Sequence, residues 1–378
     1  MSLAWLAVRR RHRSPSALSL CPSGAFPGPG MRWAGLDSDP RGQSSGGCRC
    51  DRNAGDTEGR GVIEIRCFRN DDPPRLAEVW RAADLGPAAM QPMTTAMLEA
   101  GVFSKPYFDR HGLLVAVDDG RVVGFGHAGF GPDTDRSGID TREGATFLVA
   151  VVPHPESESI ADRLLAACEE YLRKRGSVVL LGGGSSKMRS FYLGLYGGSD
   201  LPGILDSSAV LVGVFRRAGY IEGDRIAVLR RALAGFRPPV SRQQMTIRRT
   251  TQLRVIDEPD RRDWWEAATT TGIALRRYEL FGERERLLGS ASFWDMQPLA
   301  SVWGVAAGGL LQVEVEGGRR REGLAHYLLA ESFYDLAREG GALVETHASK
   351  ANLPALELFA KLGFEAVDHG TLFRRPSG

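Results

Sequence analysis

From Val62 onward the chain falls into a regular succession of apolar and polar positions. VIEIRCF alternates as a half-buried strand does. NDDPPRLAEVWRAA follows with Asp caps, prolines in the first turn, and Leu76, Val79 and Trp80 on one side of a helix. LLVAVDDGRVVGFGHAG is two apolar runs around Asp-Asp-Gly, a hairpin signal. TFLVAVVP predicts a buried strand. SIADRLLAACEEYLRKRG predicts an amphipathic helix carrying Leu164, Leu165, Cys168 and Leu172, stopped by Gly176. SVVLL is a further strand, AVLVGVFRRAGY a short helix and DRIAVLRRAL a strand. Past Pro238 and Pro239 the same order begins again. TIRRT opens it, RRDWWEAATTTG is a helix, and RRYELFG and RLLGSASFWD form a strand pair. LLQVEVEGG is a strand, GLAHYLLAESFYDLAREGG a helix, ALVETHA a strand, NLPALELFAKLGF a helix and GTLFRR a last strand.

A repeated order of elements is the mark of an internal duplication. It predicts an α/β (α+β) protein of two tandem domains, each a mixed, mostly antiparallel twisted sheet flanked by helices. The expected boundaries are a tail at 1–60, a first domain at 61–236, a linker at 237–245 and a second domain at 246–378. The linker rests on GFRPPVSRQQM, where two prolines forbid a regular ladder and the rest is polar. Residues 1–60 are dominated by Gly, Ser, Pro and Arg without a sustained period, so disorder is expected there.

Composition narrows the function. A chain of 378 residues suits two domains at roughly 150 residues each. Lys+Arg 48 against Asp+Glu 46 leaves a net charge of +2, which gives no reason to expect nucleic acid or an anionic membrane as partner. The 5 cysteines are an odd set without a disulfide framework, which suggests a reducing compartment, the cytoplasm. Cys48 and Cys50 have no second pair to complete a metal site, so no metal is expected. No run approaches the ~18 apolar residues needed to span a bilayer. At the N-terminus SLAWLAV precedes RRRHR, the reverse of a secretory signal; a flexible tail or a start codon placed too early is the expectation.

The chemistry concentrates in EGGRRREG, residues 316–323, between a predicted strand and a predicted helix. A helix N-terminus leaves backbone N–H groups without partners and carries about half a positive charge. Gly317, Gly318 and Gly323 let a ligand approach the backbone, while Arg319, Arg320 and Arg321 supply charge for phosphate oxygens. The loop is suited to a pyrophosphate.

Val315, Arg320, Gly323 and Ala325 are spaced so that the loop resembles the acetyl-CoA loop of the GNAT acetyltransferase superfamily. NLPALELFAKLGF resembles that family's C-terminal signature through Asn352, Ala355, Leu358, Phe359, Gly363 and Phe364. The resemblance implies tandem GNAT-like folds and direct transfer of an acetyl group from acetyl-CoA, a co-substrate, to an amine of a small molecule or peptide. It places Val313, Val315, Arg319, Arg320, Arg321, Gly323, Leu324, Ala325, Asn352 and Phe359 at the cofactor. The pantetheine arm would enter a splay between LLQVEV and ALVETHA.

In the first half the corresponding VVPHPESESIADRLL has Glu156 for the arginine and Ser159 for the glycine, with Glu158 beside them. Carboxylates there oppose phosphate binding, so this copy is expected to be degenerate, its helix capped by Ser157 or Ser159. GGGSSKMRSFYLGLYGGSDLPG, 182–203, lacks the Gly before Lys of a phosphate loop and is an acceptor-side candidate instead.

Candidates for the general base are Glu314, Glu345 and His347. The family often places a Tyr acid where this chain has Phe359. Trp264, Trp265, Trp294 and Trp303 are candidates for an acceptor pocket or for packing between domains, and His326 for the surface. An acyl-CoA sensor without turnover and an interaction protein built from two relic folds are the rival readings. The sequence leaves the acceptor, the acyl length and the oligomeric state open.

Overall fold

The computed structural model describes residues 63–376. The expectations for the 1–60 tail, including Cys48 and Cys50, lie outside the described residues. The first half runs β1 (Glu64–Cys67), α1 (Pro73–Ala82), α2 (Thr95–Leu98), β2 (Leu113–Asp118), β3 (Arg121–Pro132), β4 (Ile139–Val151), α3 (Ser157–Lys174), β5 (Val179–Gly182), β6 (Ile204–Leu205), α4 (Ala209–Arg217) and β7 (Ile221–Ala232). The second runs α5 (Arg242–Thr250), β8 (Gln252–Asp257), α6 (Trp264–Thr269), β9 (Leu275–Phe281), β10 (Leu287–Asp295), α7 (Gln297–Trp303), β11 (Ala307–Val315), α8 (Leu324–Arg338), β12 (Leu343–Ser349), α9 (Leu353–Lys361) and β13 (Glu365–Arg374).

Local chemistry explains most elements. The β2–β3 turn holds Asp119 at φ 44 and Gly120 at φ 76, the double left-handed pair that a tight hairpin requires. α3 buries Ile160, Leu164, Leu165, Cys168 and Leu172 on one face. It lies so close to β3 that a Cβ on Gly126 would come 2.9 Å from the Cys168 sulfur. α8 buries Leu324, Leu328, Phe333 and Leu336 in the same manner.

Several details differ from the sequence reading. Asp72 does not cap α1, because its carboxylate takes two hydrogen bonds from Arg66, each 2.7 Å. α3 begins at Glu156 without a side-chain cap, so neither Ser157 nor Ser159 serves as its N-cap. TIRRT lies inside α5, and the strand that follows, β8, was missed, as was α7. The signal for α5 was present: Ser241 accepts from the Gln244 amide at 3.2 Å, the first half of an S-x-x-Q capping box.

The strands join into one sheet in the order β1-β2-β3-β4-β5-β13-β7-β12-β11-β10-β9-β8, with β6 on β13. The last strands of the two halves are exchanged. β13 pairs with β5 through Phe373↔Gly182, while β7 pairs with β12 along Leu343↔Ala232 to Ser349↔Ile226. β7 and β13 pair with each other between them. The cores follow the strands. Phe373 is 1% exposed and stacks on Phe215 with ring centroids 5.5 Å apart, in the first half's core. Ala227, Leu229 and Leu233 join the second core with Phe333 and Phe359.

Contacts across the sheet fix the halves further. Lys105 donates to the carbonyls of Ala268 and Thr269 at the end of α6, and burial lowers its pKa to about 8. Tyr107 stacks on Trp265 at 4.8 Å, and the Trp294 indole donates to the Ser199 carbonyl at 3.0 Å. Trp265 and Trp294 are therefore packing residues, and Trp303 lies under the Arg230 guanidinium at 4.0 Å. Glu345 on β12 is fully buried and accepts from the Ser199 backbone N–H at 2.6 Å and from Arg230 Nε at 2.7 Å. Gly198 beside it sits at φ +89, and a Cβ there would come 2.1 Å from the Glu345 carboxylate.

Two predictions follow from this arrangement. Phe373→Ala removes a buried ring from the exchanged strand and is expected to cost about 3–5 kcal/mol. Urea unfolding followed by tryptophan fluorescence should show the loss in one transition for both halves, and two separated transitions would refute the coupling. The second concerns acid. Burial raises the Glu345 pKa, but His347 and Arg230 beside it more than offset this and hold it below the ordinary 4.5. A depressed folded pKa gives stability that is present above the unfolded value and lost as pH falls through the folded one. Stability should therefore decline below about pH 4.5, and less steeply in Glu345→Gln, measured by urea midpoints across pH.

Candidate active site

The site begins where two parallel strands part. β11 and β12 pair from Ala307↔Leu343 to Leu310↔Thr346, and then β11 runs on to Val315 and β12 to Ser349 without pairing to each other. A bulge drives the separation. Ser292 of β10 faces Gln312 and Phe293 faces Leu310, which leaves Leu311 as the extra residue that bends β11. Between the parted strands lies a cleft of about 1860 Å³.

Val313, Glu314, Val315, Arg319, Arg320, Arg321, Gly323, Leu324, Ala325, His347, Asn352 and Phe359 all line this cleft. Glu345 does not. Its two carboxylate oxygens are committed to Ser199 and Arg230, so the structure makes it a latch between the halves and not a base facing substrate.

The loop from β11 to α8 keeps its cationic character because its acids are taken. Glu316 pairs with Arg286, and Glu322 with Arg319 at 2.7 Å. Arg320 and Arg321 are exposed and, among the described residues, carry no ion pair. Arg321 sits at φ 67 and Gly323 at φ 80, and Gly323 begins α8 with no side-chain cap. The first N–H groups of α8 are thus left for a ligand. Asn352 caps α9 by accepting from the Ala355 N–H at 3.3 Å, which fixes its place at the rim.

His347 is buried beside Glu345. Its side chain is 3% exposed, both ring nitrogens lack hydrogen-bond partners, and Nε2 lies 3.5 Å from Glu345. Buried polar atoms are normally paired, so Nδ1 stands out as an unsatisfied atom on a residue of the cleft wall. Glu314 stands at the mouth, 58% exposed, 3.6 Å from Arg262 and bonded to Gln312. His326 is half-buried, and burial together with Lys361 lowers its pKa. Sequence reasoning missed Ser186, Ser241, Gln243, Gln244 and Ser290, which also line the cleft. The capping pattern at Ser241 pointed to part of that group; Ser186 comes from the first half's 182–203 loop, which the sequence offered only as a whole as an acceptor-side candidate.

The first half shows the same parting, with β4 and β5 paired only as far as Thr146↔Gly182. Its gap is filled from within. Gly183 donates to the Thr146 carbonyl at 2.9 Å, and Phe191 packs on Phe147 and His127. Burial drops the His127 pKa to about 3, so it packs there uncharged. Arg217 of α4 binds Asp162 at 2.9 Å and Glu158 at 3.5 Å, tying α4 to α3 across the entrance. Among the described residues no ion pair ties α8 to α9.

No helix among the described residues is long and apolar enough to cross a membrane, and no group of His, Cys, Asp and Glu there is arranged to hold a metal.

Comparison with known proteins matches the two halves separately. The acetyltransferase (GNAT) family matches residues 77–194, in the copy with the acidic loop, and the FR47-like protein family matches residues 300–372. An acetyltransferase of Photorhabdus laumondii, plu1384, is 31% identical over 114 residues, covering 30% of this chain and 69% of the relative. Among solved structures, a tandem GNAT protein from the clavulanic acid biosynthesis pathway aligns at TM-score 0.57 and 19% identity over 84% of this chain and 99% of its own. A GCN5-related N-acetyltransferase from Sphaerobacter thermophilus aligns at 0.56 and 15% identity, over 83% and 95%. The glucosamine N-acetyltransferase region of a fungal GH3 β-N-acetylglucosaminidase aligns at 0.61 and 16% identity over 85% of this chain, which spans 39% of the fungal chain. Such identities show the fold alone; the sequence relative carries the kinship, and by it the chain belongs to the GNAT acetyltransferase family.

Proposed function

We propose that the second half binds acetyl-CoA in the cleft and transfers its acetyl group directly to a primary amine of a small molecule or peptide. The observation that carries this reading is the coincidence of two features in one cleft. β11 and β12 part at Leu310 and Thr346, and the same cleft reaches the uncapped start of α8 beside two unpaired arginines. The diphosphate charge suits Arg320, Arg321 and the free N–H groups. The unpaired edge of β11 beyond Leu310 offers backbone donors and acceptors to an amide-bearing arm.

The reaction needs the amine as free base. Its nitrogen lone pair attacks the thioester carbonyl carbon, a C–N bond forms, the C–S bond breaks, and one proton passes from nitrogen to the departing sulfur. His347 is the residue assigned to that proton, because it lines the cleft and its ring Nδ1 has no hydrogen-bond partner among the described residues. Glu314 at the mouth then serves to attract the cationic amine and to exchange protons with water. Glu345 acts only through position. Phe359 occupies the place of the family's Tyr acid, so no hydroxyl from α9 is available there, and His347 takes both steps.

In this proposal residues 61–236 form the degenerate copy with its closed cleft, 237–245 the junction and 246–378 the transferase unit, without a metal and in the cytoplasm. A second reading, a sensor that binds acyl-CoA without turnover, draws support from Phe359.

Calorimetric titration of acetyl-CoA into the full chain tests the first step. Micromolar binding is expected, and Arg320→Glu should weaken it at least tenfold, roughly the effect of losing one charge-assisted contact. No binding to the unaltered protein would end the reading. Thiol release with a panel of amines separates transferase from sensor. His347→Gln should then lower turnover about 100-fold, the usual scale of acid–base catalysis, with acetyl-CoA affinity unchanged.

A further inference from the structure

We propose that Gln243, from the segment joining the halves, is a further ligand for the diphosphate of the bound coenzyme. The inference rests on the cleft taking acetyl-CoA.

The first turn of α5 lies on the start of α8. Gln243 Nε2 donates to the Glu322 carbonyl at 3.0 Å, and Gln244 Nε2 lies 3.4 Å from His326 Nδ1. Pro239, Ser241, Gln243 and Gln244 all line the same cleft as the arginine loop. The carboxamide of Gln243 lies directly against Gly323. A Cβ on that glycine would come 3.0 Å from its Cδ, 3.1 Å from Nε2 and 3.2 Å from Oε1. Gly323 thus serves two purposes, the left-handed turn at φ 80 and room for this amide.

An amide nitrogen has two hydrogens, and the Glu322 carbonyl takes one. The second has no partner among the described residues, and it sits beside the uncapped N–H groups of α8. The surrounding charge favours an anion. α5 reads RQQMTIRRT without an acid, and Arg242, Arg248 and Arg249 are exposed and form no ion pair among the described residues. His347 is an independent observation from the same cleft wall, where its buried ring Nδ1 has no hydrogen-bond partner among the described residues.

The segment therefore belongs to the cofactor site. Its donor lies against Gly323 at the start of α8, in the same cleft as Arg320, so loop and junction would hold the diphosphate together.

The test uses the full chain, acetyl-CoA as probe, calorimetry for affinity and thermal melting without ligand as the structural control. Gln243→Ala should raise the Kd about tenfold, the loss of one hydrogen bond to a charged group, with the unliganded melting temperature unchanged. Gln243→Lys, which keeps a donor and adds charge, should restore binding. Unchanged affinity in Gln243→Ala overturns the proposal. So does a loss of affinity accompanied by a lower melting temperature, or a Lys variant as weak as the Ala variant. Absence of acetyl-CoA binding to the unaltered protein would instead remove the underlying reading, before any variant is compared.

Discussion

The exchange of β7 and β13 is the constraint on which the cleft depends. A strand that parts from its neighbour loses ladder hydrogen bonds on that side and must be held from the other. β12 is held by β7, which belongs in sequence to the first half, and the ladder includes His347↔Val228 and Glu345↔Arg230. β12 therefore stays in place while β11 bends away at Leu311. Without the first half the wall that carries His347 would be an unsupported edge, so the copy whose own cleft is filled still shapes the open one.

The two copies differ through charge and filling, not through topology. Both have parallel strands that part after four pairs, Glu143↔Val179 to Thr146↔Gly182 in one and Ala307↔Leu343 to Leu310↔Thr346 in the other. In the first, Arg217 pairs with Asp162 and Glu158 on the facing helix. In the second, the acids of the loop are bound by Arg286 and Arg319, so two arginines remain exposed and mutually repulsive at the start of α8. Charges of one sign held near an open helix N-terminus are best relieved by a bound anion.

Most of the order of elements was legible because apolar periodicity is a local property, and the helices α3 and α8 and the β2–β3 hairpin carry it strongly. The exchange was not legible. Nothing in DRIAVLRRAL or GTLFRR says which partner each will take, since that choice is set by the whole sheet. The cofactor loop was legible because EGGRRREG concentrates glycine and arginine at one junction. Ser186 was legible only as part of the 182–203 acceptor-side candidate, because it reaches the cleft from another half of the chain. α5 was hidden by the prolines before it, although the Ser241 cap announced it. β8 was hidden because QLRVID, an edge strand, is short and mixed.

Glu345 and His347 shared one face of a predicted strand, and the structure separates their roles by the cost of burial. A carboxylate taken out of water at neutral pH costs several kcal/mol unless it is paired and hydrogen-bonded. Glu345 meets that requirement with Arg230 and the Ser199 N–H, and in doing so it draws the 182–203 loop of the first half against the second. His347 lies 3.5 Å from that carboxylate and keeps a buried Nδ1 with no hydrogen-bond partner among the described residues. With the carboxylate spent on holding the halves together, the proposed function assigns the proton to the histidine beside it.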